Sequence, residues 1–170
     1  ESKITWYILG IAYPCYIPST KSNSGIIFRS NHKDLIEIVK DKLESEHAIV
    51  ADPRENKKSY FIRIRNKHMR SKLEELGLTA NKSKRKFPTD IKEGYLDHFI
   101  GGFFDGQAII YRQKRNPKSN NIRFYFNNSF LSELHNILKK YADVDREEPL
   151  GDELSYGHSD SIKIYNFMYR

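Results

Sequence analysis

The sequence is poor in cysteine and has no long hydrophobic run. Cys15 is the one cysteine among 170 residues, which excludes an intrachain disulfide and a cysteine-based zinc site of the usual spacing. The longest apolar stretch, residues 6–17, contains a proline and is too short to cross a bilayer. We therefore expect a soluble protein without a membrane partner, in a reducing intracellular compartment, cytoplasmic or organellar.

The charges are unbalanced toward the positive. The chain has 29 Lys and Arg against 22 Asp and Glu, a formal net charge of +7. This excess favours an anionic partner, and charge alone leaves nucleic acid, acidic lipid and an acidic protein open. Aromatic residues make up 13% of the chain, so a sizeable core can form around rings and the composition is not that of a disordered chain.

Hydrophobic periodicity predicts alternating helices and strands. Residues 5–13 are apolar throughout and fit a buried helix or a buried strand that stops at Pro14. We predict further strands at 24–31, 47–52, 59–66, 107–114, 122–128 and 154–156, with a polar turn at 116–121. Helices are predicted at 31–45, 66–78 with Gly77 as C-cap, 94–106, 129–143, and from Ser159, Asp160 or Ser161 onward.

The predicted elements repeat in two halves. Residues 1–78 and 92–170 share the order helix, strand, strand, helix, and residues 79–91 form a basic linker without periodicity. Gly101 and Gly102 lie inside a predicted helix, where each costs about 1 kcal/mol relative to alanine. Close approach of another backbone is the usual reason for such glycines. Gly10 has a comparable place in the first half, so we expect the two apolar segments to pack against each other.

The sequences of these segments resemble the motifs of the LAGLIDADG homing endonuclease family. FIGGFFDGQ (residues 99–107), preceded by GLTANKSKRKFPTDI (77–91), is similar to that family's motif helix and its approach. YILGIAYPCY (7–16) resembles a degenerate first copy, and DELSYGHSDSIKIYNFMY (152–169) resembles the family's closing strand and helix. The resemblance covers nearly the whole chain and is most specific over residues 76–107.

The resemblance implies an α+β fold, a pseudo-twofold αββαββ monomer with the two motif helices at its centre. Two curved antiparallel sheets would then form a saddle over the major groove of double-stranded DNA. Strand alternation independently predicts outward-facing sets on 59–66 (Phe61, Arg63, Arg65) and on 122–127 (Arg123, Tyr125, Asn127). The candidate nucleic-acid-binding residues are Arg29, Lys58, Arg63, Arg65, Lys67, Lys82, Lys84, Arg85, Arg112, Lys114, Arg115, Lys118, Arg123, Tyr125 and Asn127.

The family's metal-binding acids are missing from this sequence. The resemblance places one acid five residues after each motif glycine, where this chain has Cys15 after Gly10 and Gln107 after Gly102. An amide and a thiol are poor ligands for Mg²⁺, so no metal or other cofactor is expected unless cleavage is retained. Asp105 matches an earlier acid of the motif and is expected to cap or pack, with a catalytic role as the less favoured interpretation. Lys82 matches a basic residue near the family's cleavage centre, and contact with a phosphate is the preferred interpretation here.

Several functions are compatible with these features. The leading hypothesis is a DNA-binding protein, a regulator or a remnant, that cleaves weakly or not at all. The first alternative is an active homing endonuclease or nickase with unusual ligands, or one inactivated by substitution at Gln107. The others are a maturase-like splicing factor that binds intron RNA, and a module that binds an acidic protein.

Overall fold

The structure, a computed structural model, describes residues 2–19, 25–52, 58–114, 116–145 and 149–169. Its α-helices are α1 (Lys3–Cys15), α2 (Lys33–Lys42), α3 (Lys67–Glu75), α4 (Leu96–Gln107), α5 (Asn128–Tyr141) and α6 (His158–Met168). Its strands are β1 (Tyr16–Pro18), β2 (Gly25–Ser30), β3 (Ile49–Asp52), β4 (Ser59–Arg65), β5 (Ile109–Gln113), β6 (Asn116–Tyr125) and β7 (Glu153–Tyr156). None of the described helices is long and apolar enough to cross a membrane.

The strands form two separate antiparallel sheets. The first has the order β1-β2-β4-β3 and the second the order β5-β6-β7. Along the chain, the first sheet follows α1 and the second sheet follows α4. Helix α2 connects β2 to β3 in the first sheet, and helix α5 connects β6 to β7 in the second. The predicted α+β class with two antiparallel sheets is confirmed.

The helices α1 and α4 form the central pair of the fold, and glycines allow them to touch. A Cβ on Gly10 would lie 2.1 Å from the Phe99 carbonyl oxygen, and one on Gly102 would lie 2.0 Å from the Tyr7 carbonyl oxygen. Both distances are too short for a Cβ atom, so neither position can carry a side chain while the helices stay in place. Gly101 differs, because a Cβ there would meet only Met168 of α6, at 3.9 Å. The contact between the central pair therefore uses Gly10 and Gly102, whereas Gly101 faces α6.

Aromatic rings fill the core between α4, α5 and the second sheet. The ring of Phe103 lies 4.6 Å from that of Phe130, and Phe126 lies 4.8 Å from the same ring. Tyr13 of α1 packs edge-on against Phe99 at 5.4 Å. Offset and edge-to-face pairs of this kind are favourable beyond the area that they bury. The cluster joins both helices of the central pair to one core.

Some predicted element boundaries differ from the structure. The segment 5–13, left open between helix and strand, belongs to α1, which continues through Pro14 to Cys15. The polar turn predicted at 116–121 is wrong, because these residues form the first part of β6. Asn116, Asn120 and Asn121 pair with β5, with a register shift between Arg112 and Gln113. The last helix begins at His158 with Gly157 as N-cap, before the predicted serines and aspartate.

The repeat of elements also differs in detail from the predicted order. The short strand β1 was not predicted, because three residues that end in a proline carry no alternation signal. By order along the chain, β2 corresponds to β6 and β4 to β7, so the strands 59–66 and 122–127 are not equivalent to each other. Within the described residues, β3 has no full counterpart strand in the second sheet, where Leu150 and Glu153 form an isolated bridge.

Candidate nucleic-acid interface

The C-terminal ends of the central pair meet at a cavity of about 400 Å³, which we call the foot cavity. Gly106 lets the ends approach, since a Cβ there would lie 2.6 Å from Pro14 Cγ and 3.5 Å from Cys15 Sγ. The cavity is lined by Pro14, Cys15, Arg29, Ser30, Asn31, His32, Lys82, Asp105, Gly106, Gln107, Ala108 and Ile109. Cys15, Gln107, Asp105 and Lys82, singled out from the sequence, therefore lie around one space.

Cys15 is a buried thiol rather than an available ligand. The residue is 4% exposed, and its Sγ is a weak donor to the Gly106 carbonyl oxygen at 3.8 Å. Burial raises the pKa of Cys15 to about 11, although the positive charges of Lys82 and Arg85 oppose this shift. A neutral thiol does not bind hard cations.

Asp105 is held by two tyrosines. The Tyr7 hydroxyl donates to Asp105 Oδ2 at 2.6 Å, and the Tyr169 hydroxyl donates to Oδ1 at 2.9 Å. Burial, together with the nearby carboxylate, raises the pKa of both tyrosines, so they remain donors. Asp105 thus ties the end of α6 to the central pair, a positioning role consistent with the packing role expected from the sequence. The tyrosine partners were missed because they lie 98 and 64 residues away.

Lys82 and Arg85 of the linker bind the carbonyl groups at the end of α1. The Lys82 ammonium donates to the Pro14 carbonyl oxygen, and desolvation there lowers the pKa of Lys82. Arg85 donates to the carbonyl oxygens of Tyr13, Tyr16 and Thr79. Cations at a helix C-terminus satisfy its free carbonyl groups and oppose its dipole.

Two of the predicted nucleic-acid contacts are structural residues. Arg85 is 0% exposed, so it cannot reach a partner from where it lies. Asn127 is the N-cap of α5, accepting from the Phe130 N–H, and its amide donates to the carbonyl oxygens of Lys82 and Arg85. Arg85 was predicted as a contact from the basic linker, and Asn127 from the outward-facing set on 122–127. Each side chain instead donates to backbone carbonyl groups within the protein.

The foot cavity does not fit a magnesium ion. The described residues contain no group of three or more His, Cys, Asp or Glu side chains that could hold a metal. Among the described residues that line the cavity, Asp105 is the one carboxylate, and two tyrosines donate hydrogen bonds to it. Gln107 supplies a neutral amide and Cys15 a protonated thiol, whereas Mg²⁺ requires oxygen ligands that include carboxylates.

The outer face of the first sheet is basic. On β4 the buried Ile62 and Ile64 alternate with the outward Phe61, Arg63 and Arg65, as predicted from the period of two. On β2 Arg29 points to the same side, directly opposite Phe61 in the register. Lys58, Lys67 and Lys84 are exposed, and their role as nucleic-acid contacts stays a prediction.

The second sheet has the same arrangement of inner and outer residues. Ile122 and Phe124 are buried, while Arg123 and Tyr125 are partly exposed on the outer side. Arg112, Lys114 and Lys118 are exposed around the β5–β6 hairpin. Arg115, also predicted as a contact, lies outside the described residues.

Comparison with solved structures identifies the fold. I-WcaI, a homing endonuclease bound to its DNA recognition sequence, matches with a TM-score of 0.68 and 14% identity over 98% of this chain and 80% of that one. The LAGLIDADG homing endonuclease I-LtrWI, bound to target DNA, matches with a TM-score of 0.58 and 13% identity over 96% and 83%. Full-length DUF199/WhiA from Thermotoga maritima matches with a TM-score of 0.64 and 12% identity over 98% of this chain and 55% of that one.

The chain therefore has the fold of the LAGLIDADG homing endonucleases, and the resemblance predicted from its motifs is confirmed at that level. No protein-family model matches the sequence, and no curated protein does either.

Proposed function

We propose that this protein binds double-stranded DNA in the major groove through the outer faces of its two sheets, and that it cleaves DNA weakly or not at all. The observation that carries the proposal is the contrast between these basic faces and the foot cavity, where Cys15 and Gln107 stand at the ends of the central pair. Binding depends on phosphate neutralisation and groove contacts, which do not require the metal site needed for hydrolysis. Control of the bound site, as by a regulator, is then the expected role.

Two further features support DNA as the partner. The solved structures of I-WcaI and I-LtrWI, which share the fold, are complexes with DNA. The exposed cations lie on strands and hairpins of both sheets. A DNA duplex is a regular polyanion that lysine and arginine side chains neutralise without any requirement for sequence.

The test combines selection from a randomised duplex library with nicking of a plasmid that contains the selected sequence. We expect enrichment of a sequence, equal binding in EDTA and in magnesium, and no nicking in magnesium or manganese. Robust cutting in magnesium would contradict the non-cleaving part. Lack of binding to any duplex would refute the proposal, and stronger competition by structured RNA or by an acidic protein would favour the other partners.

Matched variants separate the surface from the foot cavity. Replacing Arg63 and Arg65 together by alanine should weaken duplex binding, whereas Lys72→Ala should not, because Lys72 lies beside the N-terminal half of α1 and pairs with Glu75. Cys15→Asp combined with Gln107→Glu restores carboxylates at the foot. Cleavage by this double variant would show that the rest of a cleavage site is retained, and its absence would show that more than two acids were lost.

A further inference from the structure

Apolar side chains interrupt the basic outer face of the first sheet. Val50 of β3 is 43% exposed and lies directly opposite Phe61 of β4 in the register, on the outward side. Ile17 of β1, also exposed, lies directly opposite Ile27 of β2, and Ile27 in turn faces the outward Arg63. Two apolar cross-strand pairs therefore lie on the same face as the arginines.

The second sheet has the same feature on its edge strand. Ile109 of β5 is 50% exposed and lies directly opposite Arg123 of β6, so it shares the outer side with that arginine. The next residue, Ile110, is 61% exposed, but it lies opposite the buried Ile122 and belongs to the other side of the strand. Both sheets thus place an exposed aliphatic side chain among the cations of the outer face.

The partner of these faces has to match both kinds of side chain. The two acids of the described strands are in ion pairs, Asp52 with Arg29 at 3.0 Å and Glu153 with Arg123 at 3.1 Å, so the faces keep an excess of positive charge. An exposed aliphatic side chain gains nothing from a phosphate, but it gains free energy when an apolar group covers it. In the major groove, the C5-methyl group of thymine is such an apolar group. A duplex with thymines at the matching positions therefore satisfies the apolar side chains as well as the arginines.

We propose that Val50, Phe61 and Ile109 contact thymine methyl groups in the major groove and thereby determine part of the sequence preference. This inference rests on the proposed binding of double-stranded DNA. A methyl contact discriminates thymine from cytosine, because cytosine lacks the methyl group and presents an amino group instead. None of these three residues is among the polar and charged contacts predicted from the sequence.

Deoxyuridine tests the contacts one methyl group at a time. It pairs as thymidine does and keeps the hydrogen-bonding groups of the base, but it lacks the C5-methyl group. The measurement is Kd for the library-selected duplex and for duplexes in which each thymidine in turn is replaced by deoxyuridine. At the contacted positions we expect binding to weaken about 4-fold, the ratio that corresponds to the burial of one methyl group.

Ile109→Ser and Ile110→Ser form a matched pair on β5. Both positions are exposed, so both variants should fold, but only Ile109 lies on the outer face. Ile109→Ser should weaken binding to the selected duplex and abolish the effect of deoxyuridine at one position, whereas Ile110→Ser should change neither. Val50→Ser and Ala51→Ser are the corresponding pair on β3, because Ala51 lies opposite Tyr60 on the other side of the strand. The salt dependence of binding should be the same in all four variants, since none of them changes a charge.

The possible results separate this inference from the proposed function. Deoxyuridine without effect at every position would overturn the inference while DNA binding stands, and so would equal effects of Ile109→Ser and Ile110→Ser. A selected sequence without any fixed A·T pair would overturn it as well. Absence of binding to any duplex would remove the proposed function and this inference with it.

Discussion

At the scale of single residues, the nearest atom of the neighbouring helix decides which glycine is required for packing. Gly101 and Gly102 are adjacent in the sequence and equally unfavourable in a helix. Gly102 faces the Tyr7 carbonyl oxygen across the central pair, whereas Gly101 faces Met168 with room for a methyl group. Their substitution should therefore have opposite effects.

Gly102→Ala should destabilise the protein by about 1–3 kcal/mol, because a methyl group would push the two helix backbones apart. Gly101→Ala is the control on the same helix, and it should be neutral or stabilise by up to about 1 kcal/mol. The measurement is the free energy of unfolding in urea. Equal losses in both variants would show that the helices do not meet through Gly102.

The thiol of Cys15 should be unreactive in the folded protein. Its pKa of about 11 lies two units above the ordinary value of 9.0, which leaves about 100-fold less thiolate at pH 8. Iodoacetamide labelling followed by mass spectrometry should be slow in buffer and fast in denaturant. Rapid labelling of the native protein would place the thiol at the surface.

The same shift predicts a pH dependence of stability. The folded protein keeps the Cys15 proton to a higher pH than the unfolded chain does, so this contribution is complete below pH 9 and is lost as the pH rises toward 11. Cys15→Ala should lose less stability than the parent over that interval in urea titrations at successive pH values. A parallel loss in both proteins would assign the effect to other groups, such as the buried tyrosines.

At the scale of secondary-structure elements, the linker stabilises the end of the helix α1. Residues 79–91 were predicted as a basic linker, and in the structure Arg85 of this segment enters the interior and donates to the carbonyl oxygens of Tyr13 and Tyr16. The C-terminal end of α1, which contains Pro14, receives its hydrogen bonds from this segment. The linker is therefore part of the core around the foot cavity.

Arg85→Met should destabilise the protein by about 2–4 kcal/mol, since it leaves buried carbonyl oxygens without donors that carry charge. Lys84→Met is the neighbouring control, and it should change stability by no more than about 0.5 kcal/mol because Lys84 is exposed. Thermal unfolding followed by circular dichroism checks both. If the two variants unfold at the same temperature, the buried position of Arg85 is wrong.

At the scale of the whole molecule, the two basic sheet faces should act as one polyelectrolyte site. The net charge of +7 understates this surface, because the described strands contain two acids and both are paired with arginines. Each phosphate contact releases counterions, so binding should weaken steeply with salt.

We expect the logarithm of the duplex binding constant to fall linearly with the logarithm of the salt concentration. Arg65→Ala should reduce the size of that slope by about 1, as the loss of a single phosphate contact does. Lys72→Ala should leave the slope unchanged, since Lys72 lies away from the strand faces. Fluorescence anisotropy at several potassium chloride concentrations measures all three proteins, and a slope unaffected by Arg65→Ala would exclude it as a contact.

The sequence by itself determined the features that depend on local periodicity and on short sequence motifs. The alternation of Ile62 and Ile64 with Arg63 and Arg65 placed a basic face on β4. The resemblance of the motifs, counted five residues on from Gly10 and Gly102, predicted that Cys15 and Gln107 stand where the LAGLIDADG family has acids. These are patterns within one element, where neighbours along the chain fix which side a residue faces.

Only the tertiary structure decided which distant groups meet. It settled α1 as a helix, separated Gly101 from Gly102, moved Arg85 into the interior and joined Arg29 to Asp52. Each of these outcomes depends on a partner from another element, and the sequence records only that a charge or a small residue is present. Contacts between elements are set by how the helices and sheets pack, which local pattern does not encode.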